Sequence, residues 1–347
     1  MKSYRNILII RTDRIGDVVL TTSILQPLRQ CFPKSRISML VSPVTFDLVN
    51  GHKDIDEVFV DDRADLHKGL AGFLRLIKEI KRKDFDVAII FHTKKRTNAL
   101  CYFAGIPRRI GYRNNKFGFL LTDSLTDQRH LGEKHETQYC LEVVQYLAGK
   151  KVLLGENKIM INSQAEQWAE NLFKENKIDA TRKIIAIHLG ASDPAKCWPQ
   201  ENFIEVITQL QKKYPAVILL IGAQNTSNAS SMVTQAVAGD IHNLSGQTTV
   251  KQLVSILKRC DLLISNDSGP VHIADALGVA VISLFTRNQP GINPERWRPL
   301  GNKSRVISVS ATSHLSFQKA NSPDVKYLQV IKPQQVLEEV DALFKLC

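Results

Sequence analysis

Leu262-Leu263-Ile264-Ser265-Asn266-Asp267-Ser268-Gly269-Pro270-Val271-His272 spells a short apolar strand, a tight turn and a helix start in succession. Ser268 stands where a helix N-cap belongs, and Pro270 fits a first helical turn because it lacks an N–H that would go unused there. A buried strand that runs straight into a helix is half of a β-α-β unit, which calls for a parallel sheet covered on both faces. The same alternation extends outward from this stretch. Further strands are predicted at 184–188, 217–221 and 279–285, with helix starts at Pro199 and at a Thr248-Thr249 cap, and a closing amphipathic helix at 333–346. The first half repeats the scheme, with strands at 7–11, 37–41, 57–60 and 87–91 and helices at 17–30, 70–81 and 136–148. A polar stretch at 149–158 reads as the linker. The expectation is an α/β protein of two Rossmann-like domains, 1–150 and 159–332. Their parallel sheets should face each other across a cleft, and helix 333–347 should pack back towards the N-terminal domain.

The chain has 347 residues, more than one hydrophobic core usually serves, which agrees with two domains. No segment approaches the roughly 18 consecutive apolar residues of a spanning helix. Near the start, Ile7-Leu8-Ile9-Ile10 is too short for a signal peptide and is cut off by Arg11, Asp13 and Arg14, so a buried strand and a cytoplasmic location are expected. The six cysteines are scattered, with no C-x-x-C pair, which fits isolated thiols in a reducing compartment better than disulfides or zinc. The formal charge of +12 is uneven: residues 1–150 hold 25 Lys+Arg against 17 Asp+Glu, or +8, leaving +4 for the rest. Such a balance suits phosphates or anionic lipid, or serves only solubility.

Three strand-to-helix turns carry the chemistry. In Arg11-Thr12-Asp13-Arg14-Ile15-Gly16-Asp17, one glycine lets the backbone approach a ligand, while Asp17 either faces that ligand or merely complements the helix dipole. The dinucleotide fingerprint G-x-G-x-x-G is missing, which disfavours an NAD-linked dehydrogenase. In His188-Leu189-Gly190-Ala191-Ser192-Asp193-Pro194-Ala195-Lys196-Cys197-Trp198-Pro199, small residues expose backbone N–H groups and Lys196 adds a point charge, a combination suited to a diphosphate. Trp198 is a packing anchor or a base-stacking platform. In the 262–272 stretch, Asp267 is positioned to accept from sugar hydroxyls, or is a plain cap.

Together these segments resemble the bacterial heptosyltransferases of glycosyltransferase family 9: Gly-Asp at the first turn, Pro-Ala-Lys-x-Trp-Pro in the middle and Asp-Ser-Gly-Pro-x-His near the end. The resemblance implies a GT-B fold and an inverting, metal-independent transfer. The donor would be ADP-L-glycero-D-manno-heptose, a substrate rather than a cofactor. The acceptor would be an anionic inner-core glycolipid of the Kdo-lipid A kind at the inner-membrane surface. By the same resemblance Asp17 is the general base, with Asp13 as its rival, Lys196 the phosphate-binding lysine and Asp267 the sugar-binding carboxylate. Thr12, Asp13, Gly16, Ser192, Ser268, Gly269 and His272 would line the donor, and Ser245-Gly246-Gln247-Thr248 would hold the base.

Lys94-Lys95-Arg96, Arg108-Arg109 and Arg113 lie near expected strand ends, where they would bind acceptor phosphates or carboxylates; for the 94–96 triplet a solvated helix face is the plain alternative. Asp54-Ile55-Asp56 and Asp84-Phe85-Asp86 formally spell a metal-binding D-x-D, but both precede strands and read as turn formers. Two departures from the family pattern stand out. Gly222–Ser227 carries amides and hydroxyls where an acidic residue for the nucleoside is usual, and the 285–290 segment includes an unusual Arg287. A nucleotide-sugar epimerase or hydrolase of the same fold, a transferase using another nucleotide sugar, and a non-catalytic sugar-binding protein are the rivals. A nucleic-acid binder is disfavoured for want of an aromatic-basic motif.

Overall fold

A computed structural model describes residues 3–309 and 331–345. The chain divides into two compact units, Met1–Met160 and Ile161–Cys347.

The first unit runs β1 (Asn6–Ile10), α1 (Ile15–Thr21), α2 (Leu25–Cys31), β2 (Arg36–Val41), α3 (Phe46–Val49), β3 (Glu57–Val60), α4 (Gly69–Lys81), β4 (Val87–Ile90), α5 (Lys95–Phe103), β5 (Arg108–Arg113), β6 (Asp123–Thr126) and α6 (Glu136–Ala148). Its sheet is parallel throughout, in the order β3-β2-β1-β4-β5-β6. Leu8, Ile10, Leu40, Ala88 and Ile90 point into one core with Leu76, Ile80 and Leu100. The single helix expected over 17–30 is two helices joined by a tight turn at Thr22–Ile24. Pro27 has no N–H to donate to the Ser23 carbonyl, which accepts instead from Gly155 N at 3.0 Å. Thr21, Thr22 and Ser23 turn their hydroxyls back onto the carbonyls of Asp17, Val19 and Leu20, which tightens the same turn. That bond, with Lys158 N to Thr22 Oγ1 and Met160 N to Leu48 O, ties the supposed linker onto the first unit, so the boundary falls ten residues later than expected.

The second unit runs α7 (Ser163–Glu175), β7 (Lys183–His188), α8 (Gln200–Lys213), β8 (Ala216–Ile221), α9 (Ser227–Ala236), β9 (Ile241–Asn243), α10 (Val250–Leu257), β10 (Leu262–Asn266), α11 (Gly269–Ala276), β11 (Ala280–Phe285), α12 (Pro294–Trp297), β12 (Ser304–Ser308) and α13 (Pro333–Lys345). Its sheet, also parallel, has the order β12-β11-β10-β7-β8-β9. Counted from each unit's first strand, the two orders are the same. Helix α13, expected as a separate segment, belongs to this core through Val336, Val340 and Leu343; its expected residue Leu346 lies outside the described residues. The described cysteines are free thiols, buried at 31, 101, 140 and 260 and half-buried at 197.

In each sheet, one strand order reverses beside the first strand: between β1 and β4, and between β7 and β10. At such a reversal the connecting helices leave on opposite faces, opening a crevice at the carboxyl ends of the strands where ligands bind. The turns after β1, β7 and β10, singled out above, all sit at these two points.

Candidate active site

At the first switch point the chain buries an arginine. Arg11, only 2% exposed, sends Nη2 to Glu136 Oε1 at 2.9 Å and Nε to Asp13 Oδ1 at 3.0 Å, and Nη2 also contacts Asp17 Oδ1. A planar fork can serve three carboxylates at once, which a lysine's point charge cannot. The guanidinium stays charged: burial works against it, and the three carboxylates together outweigh that. Its carboxylates are less well served. Asp13 and Asp17 are both raised from the ordinary carboxylate value, first by burial and then by Glu136, with Asp13 also acting on Asp17 and Arg11 opposing in each case. Asp17 sits in the first turn of α1 and Glu136 opens α6, so the cluster joins two helices to the sheet.

Beside it, Thr12 Oγ1 meets His92 Nδ1 and accepts from Arg63 Nη2, each at 3.0 Å. Burial, then the neighbouring Arg11, Lys94 and Arg63 cations, drop His92 to a pKa of about 3, so its imidazole is neutral. Arg96 is committed within the fold, donating to both oxygens of Asp61 at 2.7 and 3.0 Å, and Arg63 joins the same carboxylate. Lys94, the N-cap of α5, lies against Lys116; this adjacency is the first cause holding its ammonium below the ordinary value, ahead of burial. Lys95 and Arg113 are exposed, Arg113 closing β5 at its carboxyl end. Arg108 and Arg109 do not share that position. They begin β5, at the opposite edge of the sheet, where Arg108 pairs with Asp123 and Arg109 donates to the Leu120 carbonyl. The two D-x-D sequences also lie at amino ends of strands, Asp56 accepting from Ile37 N and Asp86 from Asn6 N.

At the second switch point, Lys196 Nζ contacts Asp267 Oδ2, the two side chains being 15% and 11% exposed. Asn266 braces the turns around them: its Nδ2 donates to Leu189 O at 2.7 Å and its Oδ1 accepts from Trp198 N at 2.9 Å. Trp198 is a packing anchor, edge-on to Phe203 at 4.9 Å and donating from Nε1 to the Ile331 carbonyl. Ser268 caps α11 by position, while its hydroxyl is 3.0 Å from His188 Nδ1 and 2.9 Å from Ser265 Oγ. Burial lowers His188 to a pKa of about 4. Gly190 is required: a Cβ there would fall 2.4 Å from Thr226 Cγ2. Gly269 opens α11, with His272 buried one turn on, and Ser192 is exposed in the loop before Asp193. Arg287 pairs with Asp193 at 2.9 Å and Thr286 donates to the Ala195 carbonyl, so the unusual 285–290 segment holds the lysine loop. The amide-rich 222–227 segment and Ser245–Thr248 form one place: Gly246 N donates to Gly222 O and Ser227 Oγ to Ser245 O. Gly246 adopts φ +77°, a left-handed conformation suited to glycine.

Each switch point thus holds a carboxylate–cation cluster of the kind that group-transfer enzymes use, on a Rossmann-like sheet. The family model of glycosyltransferase family 9 (heptosyltransferase) matches residues 73–327, and the chain belongs to that family. It is a glycosyltransferase. Lipopolysaccharide heptosyltransferase 2 of Escherichia coli K12 is 25% identical over 358 residues, covering 97% of this chain and 98% of that one. A family 9 glycosyltransferase from Veillonella parvula superposes with a TM-score of 0.90 at 23% identity, covering 100% and 99% of the two chains. The Escherichia coli ADP-heptose lipopolysaccharide heptosyltransferase II does so with 0.78 at 22%, covering 97% and 98%. The fold is accordingly the GT-B architecture of two parallel α/β sheets. Among the described residues no helix is long and apolar enough to cross a membrane, and no three His, Cys, Asp or Glu side chains are grouped to hold a metal ion.

Of the side chains gathered in these two clusters, the motifs had singled out Asp13, Asp17, Lys196 and Asp267 but not Arg11, His92, Glu136, His188 and Asn266. Arg11 directly follows β1 and His188 ends β7, beside turns already singled out, so a charged or titratable residue at a strand end was the signal available. Glu136 gave none, being 125 positions from its partner.

Proposed function

We propose that the enzyme transfers heptose from ADP-L-glycero-D-manno-heptose to a hydroxyl of a lipopolysaccharide inner-core acceptor, with inversion and without a metal ion. The observation that carries this reading is the Arg11 cluster. It holds Asp17 with its acidity weakened by burial and by two neighbouring carboxylates, as a base requires. Asp17 takes the proton of the acceptor hydroxyl as that oxygen bonds to the anomeric carbon. The bond from that carbon to the diphosphate oxygen breaks, and its electron pair leaves with ADP. Lys196 and the first amides of α11 meet the developing charge on the diphosphate, and Asp267 accepts from donor sugar hydroxyls. Thr12, Asp13 and Gly16 border the reacting groups, and Ser192, Ser268, Gly269 and His272 complete the donor surroundings. Gly246 and Thr248 lie where the nucleobase is held. Lys94, Lys95 and Arg113 receive acceptor phosphates or carboxylates. Arg96 contributes through its pair with Asp61.

The names of the similar Escherichia coli proteins support heptose, the adenosine diphosphate and the lipopolysaccharide acceptor. The test is product formation from ADP-heptose and Kdo-lipid A, followed by mass spectrometry in the presence of a chelator, with the anomeric configuration read by NMR. A parallel screen replaces ADP- with GDP-, UDP- and dTDP-sugars. Release of ADP that needs no acceptor would overturn transfer in favour of hydrolysis or epimerisation. Loss of turnover in chelator would overturn metal independence.

A further inference from the structure

Between Asp86 and Asp123 the chain carries seven basic residues and no carboxylate. Three of the seven are used within the fold, Arg96 on Asp61, Arg108 on Asp123 and Arg109 on the Leu120 and Ile106 carbonyls. The same stretch contains all the exposed phenylalanines among the described residues: Phe103 at 58%, Phe117 at 37% and Phe119 at 72%. Single exposed apolar side chains are ordinary; three large rings within 17 residues, interleaved with unpaired cations, are not.

They lie on α5 and on the turn that packs against it. Helix α5 packs on the Gly118–Leu120 turn, and Asn98 Nδ2 donates to the Lys116 carbonyl at 2.8 Å. The Phe117 and Phe119 rings lie 5.6 Å apart, with the Lys95 ammonium 5.5 Å from the Phe117 ring. On α5, half-exposed Tyr102 touches Phe103 ring to ring at 5.3 Å, and the Arg109 guanidinium covers Tyr102 at 5.6 Å. The turn is held rather than loose. Phe117 adopts φ +62°, a costly conformation for an aromatic residue, while Gly118 is buried and Arg109 Nε clasps the Leu120 carbonyl. Strain of this kind, which displays a ring to solvent, has no counterpart in core packing.

We propose that α5 and the 116–120 turn form a bilayer-docking surface. Lys95 and Arg113, set above against acceptor phosphates, meet them within the anionic headgroup layer in which a glycolipid acceptor sits, Lys116 adds a further headgroup contact, and Phe103, Phe117 and Phe119 enter the boundary between headgroups and acyl chains. Aromatic rings and long cationic side chains are the residues that settle at that boundary, and each basic residue adds attraction to an anionic leaflet. A second copy of the same face is a poor occupant, since it would set uncompensated cations against cations. The inference rests on the proposed function only for the glycolipid nature of the acceptor; it concerns where the enzyme works, and the assay below uses neither donor nor acceptor.

The full chain is floated with phosphatidylcholine vesicles and with vesicles that also contain phosphatidylglycerol. Binding is expected to the anionic vesicles, to weaken as salt is raised, and to fall at least about tenfold in partition coefficient for Phe103→Ser/Phe119→Ser. That variant should keep its Tm and its affinity for ADP, since neither side chain is part of the binding machinery; Phe119→Ser alone should show an intermediate loss. No flotation, equal flotation on neutral vesicles, or a variant that floats like its parent overturns the proposal. So does a parent that elutes as a dimer without binding vesicles while the variant elutes as a monomer, which would make the face a protein interface. Vesicle binding without heptose transfer would leave the docking surface standing and remove the transfer reading, and the converse result would do the opposite.

Discussion

Exchanging Lys196 for methionine separates the two tasks assigned to it, bracing Asp267 and meeting the donor diphosphate. The two side chains keep only 15% and 11% of their exposure, and they touch. At about 3 Å and an effective dielectric near 20, the bare attraction is roughly 5 kcal/mol, most of it offset by desolvation. Removing one partner of a fully buried pair costs about 3–5 kcal/mol; the residual water here reduces that to about 2–3 kcal/mol. Lys196→Met and Asp267→Asn should each lose that much stability. The double variant should be more stable than the sum of the singles implies, with a coupling of about 1–3 kcal/mol. Donor affinity behaves differently. A charge-assisted bond to phosphate is worth about 1.5–3 kcal/mol, so Lys196→Met should weaken ADP binding about 10–100-fold, and the double variant should not recover it. Urea unfolding followed by tryptophan fluorescence reads the first quantity, because Trp198 is buried two positions from Lys196. Calorimetry with ADP reads the second. Strict additivity of the two substitutions would refute the pairing, and an affinity within about twofold of the parent would refute the phosphate role.

Asp17→Asn should lower transfer by about 10²–10⁴-fold while ADP binding survives, as calorimetry beside a turnover assay would show. Glu136→Gln removes a carboxylate that pushes Asp17 up; because the base must be ionised, the acid limb of kcat/KM should move to lower pH, and an unmoved limb would detach Glu136 from Asp17. Gly190→Ala should cost about 1–3 kcal/mol in a thermal melt, because its Cβ meets the Thr226 methyl, and Thr226→Ser should restore most of it. His188 titrates near 4 when folded rather than 6.5, so the unfolded chain alone takes up a proton between those values. Stability should therefore be complete above that window and decline by up to about 3 kcal/mol as pH falls through it, a slope that His188→Gln should flatten in urea titrations.

The alternation of strand and helix was legible because most strands in a doubly wound sheet are buried on both faces and read as plain apolar runs. The strands that escaped notice were β5, β6, β9 and β12. β6, β9 and β12 have no fully apolar run, and β5 opens with two arginines that read as cations near a strand end rather than as part of a strand. Strand order was not legible either, since a crossover helix can lead to either side of its strand. That order places the three chosen turns at switch points. The Lys196–Asp267 pair could be picked out because both residues stand in motifs with helix-start punctuation. The first site was read incompletely, because its organising residue, Arg11, resembled an ordinary charge ending a strand, and Glu136 is joined to it only by the fold.

The first unit's two groups of like charge have a common explanation. Three carboxylates share the buried Arg11 guanidinium, with Arg129 acting on Asp13 from nearby, and burial first, then the neighbouring carboxylates, raise Asp13 and Asp17. Nearby, Lys94 and Lys116 are held together and Lys94 is lowered, a pair of the opposite sign; Asp13 is close enough to act on Lys94 without neutralising it. Either arrangement alone would be a cost to folding that selection for stability removes with one substitution. Side by side, they match what a phosphorylated alcohol brings: a hydroxyl proton for the carboxylates and anionic oxygens for the ammonium groups. Under the proposed function, the raised carboxylates and the lowered ammonium are a cost that binding the acceptor offsets, since free-protein stability alone would favour removing both.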